Sequence, residues 1–227
     1  MNKYFHLISS IFSGHIKIHT GQWAEDLLVR KLVRKINTGV YVDIGAYHPF
    51  YHSNTAGLWL KGWHGINIDA NKNTIKLFDR IRPNDTNIYS AILPKSEIGN
   101  RNTVPIMLPP KRDASSGISA RGTCDADLGS KRGFAETTQV PVNDIESILS
   151  TNNITHIDYL NIDIEGCDTG VLHDINFRKY QPFVISVEDY ANNIREIVKS
   201  EISVFMEENG YSLVSRAGPT SIFINQF

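Results

Sequence analysis

Apolar residues recur along this chain in two rhythms. Trp23, Leu27, Leu28, Leu32 and Ile36 return at helical spacing, with Glu25 and Asp26 early, Lys31, Arg34 and Lys35 late, and Gly39 just beyond. That spacing predicts a helix over residues 22–37. VYVDI (40–44) and GINIDA (65–70) are short and rich in β-branched residues, and they reach the acids Asp43 and Asp69 at or next to their ends. Both read as strands. The stretch between them, around Leu58 and Trp59, has room for a helix, which gives the strand–helix–strand unit of a parallel sheet. Lys72–Asp79 reads as the next helix and NIYSAIL (87–93) as a third strand.

Residues 94–139 break the rhythm. Pro94, Pro105, Pro109, Pro110 and the run RDASSGISARG leave few periodic apolar positions. The segment reads as an irregular insertion with one short strand at Val104–Met107, either a lid over an acceptor or a disordered surface loop. Order resumes at Val140 and Val142, followed by a helix opened by Asn143 with Glu146 at the capping-box spacing. HIDYLNIDIEG (156–166) and PFVISVEDY (182–190) read as buried strands running into acids, with a short helix around Val171–Ile175 between them. Ile194, Ile197, Val198, Ile202 and Phe205 form an amphipathic helix ended by Gly210. YSLVS and SIFINQF, joined by Arg-Ala-Gly-Pro-Thr, close the chain as an antiparallel pair. No internal repeat emerges. The expected architecture is α/β: one domain with a Rossmann-like, doubly wound, mostly parallel sheet and a C-terminal antiparallel hairpin strand, preceded by a helical segment over residues 1–38.

Composition narrows the function classes. The chain has 227 residues, 41% hydrophobic and 21% charged, enough for one substantial core. A net charge of -1 gives no bulk electrostatic reason to expect nucleic acid or an anionic membrane as partner. Cys124 and Cys167 make no disulfide framework and neither sits in a zinc-type CxxC, so a reducing cytoplasm is the expected location. MNKYFHLISSIFSGHIKI is too short and too polar for a signal peptide or transmembrane helix. It reads as an amphipathic surface or oligomer-contact segment, the latter implying a homo-oligomer.

The candidate chemistry lies where strands end. In open α/β sheets ligands bind beyond the carboxyl ends of the strands, and four strand-like runs here end in acids: Asp43, Asp69, Asp163 with Glu165, and Glu188 with Asp189. Carboxylates converging on one edge repel unless something positive joins them. An acid at the end of the second strand commonly accepts hydrogen bonds from ribose hydroxyls, which fits either a dinucleotide or another adenosyl cofactor. The first turn discriminates between these. A dinucleotide site needs G-x-G-x-x-G so that a pyrophosphate can reach backbone amides, whereas this turn reads D-I-G-A-Y-H-P, one glycine beside a carboxylate. That acid repels a pyrophosphate and suits S-adenosylmethionine, with its ammonium and sulfonium. The structural alternative for Asp43 is an acid that caps a loop or helix.

VYVDIGAYHPFYHSNTAGLWLKGWHGINIDAN, together with GQWAEDLLV, HIDYLNIDIEG, FRKYQPFVISVE, NGYSLV and the final IFIN, resembles the FkbM family of S-adenosylmethionine-dependent methyltransferases. The likeness spans roughly residues 20 to 225 and fails across the proline-rich insertion. It departs from the family at Asp69, where a glutamate is usual. The resemblance implies a class I methyltransferase fold. It further implies that Asp43, Gly45 and Ala46 contact the methionine portion of the cofactor, with Ser53, Asn54 and Thr55 supporting that loop. Asp69 and the adjoining Ala70 take the ribose side, Ser90 and Ala91 flank the adenine, and Asp163 lies beside the transferable methyl group.

Two routes remain for the other acids. By analogy with sugar and catechol O-methyltransferases, Asp163 with Glu188 and Asp189 holds Mg2+ or another divalent cation that lowers the pKa of an acceptor hydroxyl. In the metal-free route Asp163 or His48 is the general base, and Glu165 and Glu188 bind sugar hydroxyls. His48 and His52 stand four apart with a proline between them, poor spacing for zinc on a helix. The expected function is O-methylation of a hydroxyl on a sugar, glycan or other polyhydroxylated metabolite. The alternatives are a non-catalytic S-adenosylmethionine-binding module and a nucleotide-sugar or dinucleotide enzyme.

Overall fold

A computed structural model describes residues 3–108, 131, 136–164 and 166–226. Five strands carry the parallel part of the main sheet: β1 (Val40–Ile44), β2 (His64–Asp69), β3 (Thr86–Tyr89), β7 (Tyr159–Ile162) and β8 (Val184–Glu188). The last two strands, β9 (Tyr211–Ala217) and β10 (Thr220–Asn225), turn back on each other as an antiparallel pair. The order across the sheet is β3-β2-β1-β7-β8-β10-β9, with β10 antiparallel to β8. The central sheet is thus mostly parallel and the fold mixed α/β, with sequential order reversing beside β1.

Helices cover both faces. On one, Ile145, Ile148 and Leu149 of α6 (Ile145–Thr151), Val171 and Leu172 of α7 (Asp168–His173) and Ile202 and Met206 of α10 (Glu201–Glu208) pack on Val42, Ile44, Ile66, Ile68, Leu160, Ile162, Ile185 and Val187. Each such aliphatic side chain contributes about 1.5–3 kcal/mol by leaving water, and this face anchors the sheet. On the other, Val29 and Val33 along α2 (Glu25–Leu32) and Leu58 of α3 (Ala56–Trp59) meet Tyr41, Tyr159, Val184 and Ile222. Beside them α4 (Lys72–Ile81) buries Ile75 and Phe78.

Several boundaries differ from the sequence expectation for local reasons. The first long helix is shorter, because the Glu25 carboxylate takes the amides of Gln22 and Trp23 and Ala24 is left-handed at φ 63°. NIYSAIL is two strands in two sheets. Ser90 donates its amide to the Asp69 carbonyl, and β4 (Ala91–Ile92) leaves to pair with β6 (Glu136–Asn143). The flanks of the 94–139 insertion are regular: α5 (Lys95–Ile98) precedes β5 (Thr103–Leu108), which pairs antiparallel with β6 around a core of Val104, Ile106 and Val140. RDASSGISARG lies outside the described residues. The helix expected after Ile194 is split into α9 (Ile194–Ile197) and α10, because Ser200 accepts from the amide of Ser203 and starts a new N-terminus.

The cap of α6 is Asp144, one residue later than expected. Its Oδ1 accepts from the Ser147 amide at 2.9 Å and its Oδ2 from the Ser147 hydroxyl at 2.6 Å, while Asn143 finishes β6 and donates to Ser90. Burial pushes the Asp144 carboxyl up, but the Ser147 bonds and the Lys95 charge outweigh it and hold it below its ordinary value. Asp144→Ala is therefore expected to cost about 1 kcal/mol at neutral pH. A group with a lowered folded pKa stabilises above its unfolded value and loses that contribution as pH falls through the folded one. The gap in melting temperature between variant and wild type should accordingly close as pH drops below about 4; identical melting temperatures at neutral pH contradict the cap.

Two surface features bear on partners. The segment α1 (Lys3–Phe12) leaves Tyr4, Phe5, Ile8 and Phe12 exposed, and no helix among the described residues is long and apolar enough to cross a membrane. Cys167, just before α7, is disulfide-bonded, and the chain's other cysteine, Cys124, lies outside the described residues.

Candidate functional site

Parallel register aligns the strand-end acids. Ile44 stands opposite both Ile68 and Ile162, and Ile162 opposite Val187. One residue further on, Asp69, Gly45, Asp163 and Glu188 therefore form a row across the carboxyl ends of four adjacent strands. Successive side chains in a strand alternate faces, so the row one step inward on the same face is Asn67, Asp43, Asn161 and Ser186. These four side chains are buried, a polar seam running through a sheet whose opposite face is aliphatic.

The inner row is a connected network. Asp43 is 1% exposed, and its Oδ1 accepts from Asn161 at 2.9 Å and its Oδ2 from the Thr55 hydroxyl at 2.7 Å. Thr55 in turn accepts from Arg82 Nη1 at 2.9 Å. The same guanidinium donates to Ser53 Oγ at 3.3 Å and to the Pro49 carbonyl. Beyond it lies Asp85, 9% exposed, which accepts from the Tyr41 hydroxyl, Asn67 and the Gly65 amide. Burial and the Asp85 charge raise the Tyr41 phenol far above its ordinary value despite the opposing Arg82, so it stays protonated as a donor. Two buried carboxylates thus share one buried guanidinium. A buried ion is tolerated only when paired, and Thr55 and the Tyr41 hydroxyl link the two acids to the guanidinium.

Gly45 allows the outer row to close up. Its φ is +83°, and a Cβ there would lie 1.8 Å from the Asp163 carbonyl; its amide and that of Ala46 both donate to the Ile68 carbonyl. The loop that follows is held in sparsely populated conformations, Tyr47 at φ 56° and His52 at φ 50°. Such outliers persist where surroundings over-determine them. Here Asp69 accepts from the Tyr47 amide at 2.8 Å and the Asn71 amide at 2.7 Å, and Arg82 holds Pro49 and Ser53. Tyr47 stacks on His52, and Phe50 meets Trp59 edge-on.

His48 is poorly placed to be a base. Its Nδ1 accepts from the Phe50 and Tyr51 amides, each at 3.0 Å, so the proton of the neutral ring belongs on Nε2. Burial and Arg82 both lower its pKa, which keeps the ring neutral and makes its outer nitrogen a donor. Ser53, Asn54 and Thr55 are buried under the loop, as are Ser90 and Ala91 at the end of β3 and start of β4. They support the rim from beneath. Ala70, partly exposed after Asp69, packs on the β4–β5–β6 core.

Beyond β7, Asp168 folds the turn back by accepting from the Ile164 and Gly166 amides, each at 3.0 Å. Glu165 lies outside the described residues. Glu188 accepts from the Tyr190 hydroxyl. Asp189 is committed elsewhere, Oδ1 to the Ala191 amide at 3.1 Å and Oδ2 to the Ser200 hydroxyl at 2.6 Å. The expected metal triad of Asp163, Glu188 and Asp189 is not assembled, because Asp189 is tied to the Ala191 amide and to the start of α10. Among the described residues no group of three His, Cys, Asp or Glu could hold a metal ion. A cleft of about 310 Å³ opens here instead, lined by Thr169, Glu188, Tyr190, Ser200 and Glu201 among others.

Arg82, Asp85, Asn67 and Asn161 escaped the sequence reading. A signal for the asparagines exists: Asn-Ile-Asp occurs at 67–69 and again at 161–163, an i, i+2 pair that puts both polar groups on one strand face. Arg82 and Asp85 look like ordinary helix-end charges in the sequence and carry no such mark.

No curated protein and no solved structure matches the chain. The model of the methyltransferase FkbM domain matches residues 43–213, from the Asp43 that anchors the buried network to Leu213 in the edge strand β9. That match covers well over half of the sequence and includes the whole acid-lined rim, so the chain belongs to the FkbM methyltransferase family.

Proposed function

We propose that this chain is an S-adenosylmethionine-dependent O-methyltransferase with a class I, Rossmann-like domain, acting on a hydroxyl of a sugar, glycan or other polyhydroxylated metabolite. The observation that carries the reading is the row Asp69, Gly45, Asp163, Glu188 above Asp43, all on one sheet face. A rim of aligned carboxylates suits an ammonium and a sulfonium and repels a pyrophosphate. Gly45, with no side chain, leaves a cradle among them that a Cβ would fill.

The residues fit that cofactor as follows. Asp43, fixed from beneath, faces the cationic methionine end with Gly45 and Ala46. Asp69, held by the Tyr47 and Asn71 amides, receives ribose hydroxyls. When bound, the cofactor supplies an electrophilic methyl carbon on a sulfonium. Asp163 takes the proton of the acceptor hydroxyl as its oxygen attacks, and His48 donates from Nε2. The cleft beside Glu188 offers carboxylates, hydroxyls and the exposed Tyr190 ring, with no lysine or arginine among its described lining residues, which favours a neutral, hydroxyl-rich acceptor. Among the described residues no group of three His, Cys, Asp or Glu is placed to hold a metal ion, and this route uses Asp163 as the base.

The test is product analysis. Incubation with S-adenosylmethionine and a panel of sugars should yield a singly methylated product, with activity that survives exhaustive chelation. Methylation that stops on chelation and returns with magnesium contradicts the general-base route. Absence of any methylated hydroxyl across neutral sugars, with methylation of an amine or carboxylate instead, contradicts the acceptor class.

A further inference from the structure

The helix α1 divides cleanly around its circumference. Tyr4, Phe5, Ile8 and Phe12 fall on one side at helical spacing, and His6, Ser9 and Ser10 fall on the other. All four apolar side chains are exposed, Phe5 at 63% and Phe12 at 87%. An amphipathic stripe of this kind ordinarily covers a core, yet the core clusters of the described residues contain no side chain from α1. The exposed apolar run continues past the helix with Ile16 and Ile18 on either side of Lys17. Its far end is fixed to the body. Arg30 Nη2 donates to the Ile18 carbonyl at 2.8 Å, and the Thr20 hydroxyl donates to the Ser53 carbonyl at 2.8 Å.

Charge indicates what covers this stripe. Before Glu25 the chain has Lys3 and Lys17, the histidines His6, His15 and His19, and no aspartate or glutamate. The net charge of -1 therefore hides a cationic segment, +2 in residues 1–24 against -3 in the remainder. Two copies of the segment would set like charges against each other, whereas an anionic lipid surface complements them. The aromatic and aliphatic stripe suits the boundary between headgroups and acyl chains, where such side chains anchor amphipathic helices. A helix of 10 residues is too short to cross a bilayer, so it lies in the plane of the surface.

We propose that α1 and the run from Ile16 to Ile18 form an in-plane anchor that docks the chain on a membrane surface of anionic phospholipid. The apolar stripe enters the headgroup boundary, and Lys17 meets the lipid phosphates. This inference does not depend on the methyl-donor reading.

The experiment is cosedimentation of the full chain with phosphatidylcholine vesicles, with and without phosphatidylglycerol, alongside light scattering of the protein alone and melting temperatures. Wild type should pellet with phosphatidylglycerol vesicles at low salt, and far less at high salt or with phosphatidylcholine only. Phe5→Ser combined with Phe12→Ser should weaken that partition by about tenfold or more, and Lys17→Gln by roughly fivefold. Ile194→Ser, at an exposed apolar side chain elsewhere, should leave it unchanged. Because all these side chains are exposed, the variants should melt with wild type. No pelleting of wild type with either vesicle overturns the proposal, as does pelleting that is equal on both or indifferent to the Phe5 and Phe12 substitutions. So does a lipid-free dimer in light scattering that those substitutions dissociate, the mark of a second copy as the occupant.

Discussion

Gly45→Ala is expected to lower stability by about 2–4 kcal/mol and to abolish methyl transfer. A left-handed φ costs a residue with a Cβ roughly 1 kcal/mol, and forcing a side chain into a packed site adds roughly 1–3 kcal/mol. The clash at Gly45 is with the Asp163 backbone carbonyl, which cannot swing aside like a flexible side chain. β1 and β7 must separate at their carboxyl ends, where Asp163 hydrogen-bonds the Ile44 carbonyl through its amide. For a chain of this length the loss corresponds to roughly 5–15 °C in melting temperature, readable by thermal scan. A variant that melts with wild type would mean the two strand ends do not approach as described.

Asp43→Asn is expected to leave the protein folded and to weaken S-adenosylmethionine binding by roughly 10–100-fold, the value of a hydrogen bond or contact to a charged group. The asparagine keeps the shape and can still accept from Thr55. What disappears is one negative charge beneath the rim, and with it part of the electrostatic attraction for a cation. Calorimetry decides: unchanged affinity in the folded variant would show that Asp43 serves the loop alone, as a strand-end cap.

Most of the sheet was legible because strand ends and acids coincide. VYVDI, GINID and YLNID each place an acid where a parallel strand stops, and the doubly wound order followed from helices between them. The Glu188–Asp189 pair looks like one metal site in sequence, whereas Asp189 is taken up by Ser200 and the Ala191 amide. The strand at Val104–Met107 was expected, but its partner β6 and the break of NIYSAIL at Ser90 were not. Prolines at 105 and 141 mask a strand pair that proline tolerates at positions where its missing N–H is not needed. Arg82 and Asp85 were illegible because their meaning lies in burial from α4's far end, which no local pattern reports.

The most direct measurement is a calorimetric titration of the wild-type chain with S-adenosylmethionine, S-adenosylhomocysteine and NAD. Saturable binding of S-adenosylmethionine, with no detectable binding of NAD, is the expected result. Heat from NAD binding of comparable affinity, or none from S-adenosylmethionine at saturating supply, would contradict the assignment of the carboxylate rim to a positively charged methyl donor.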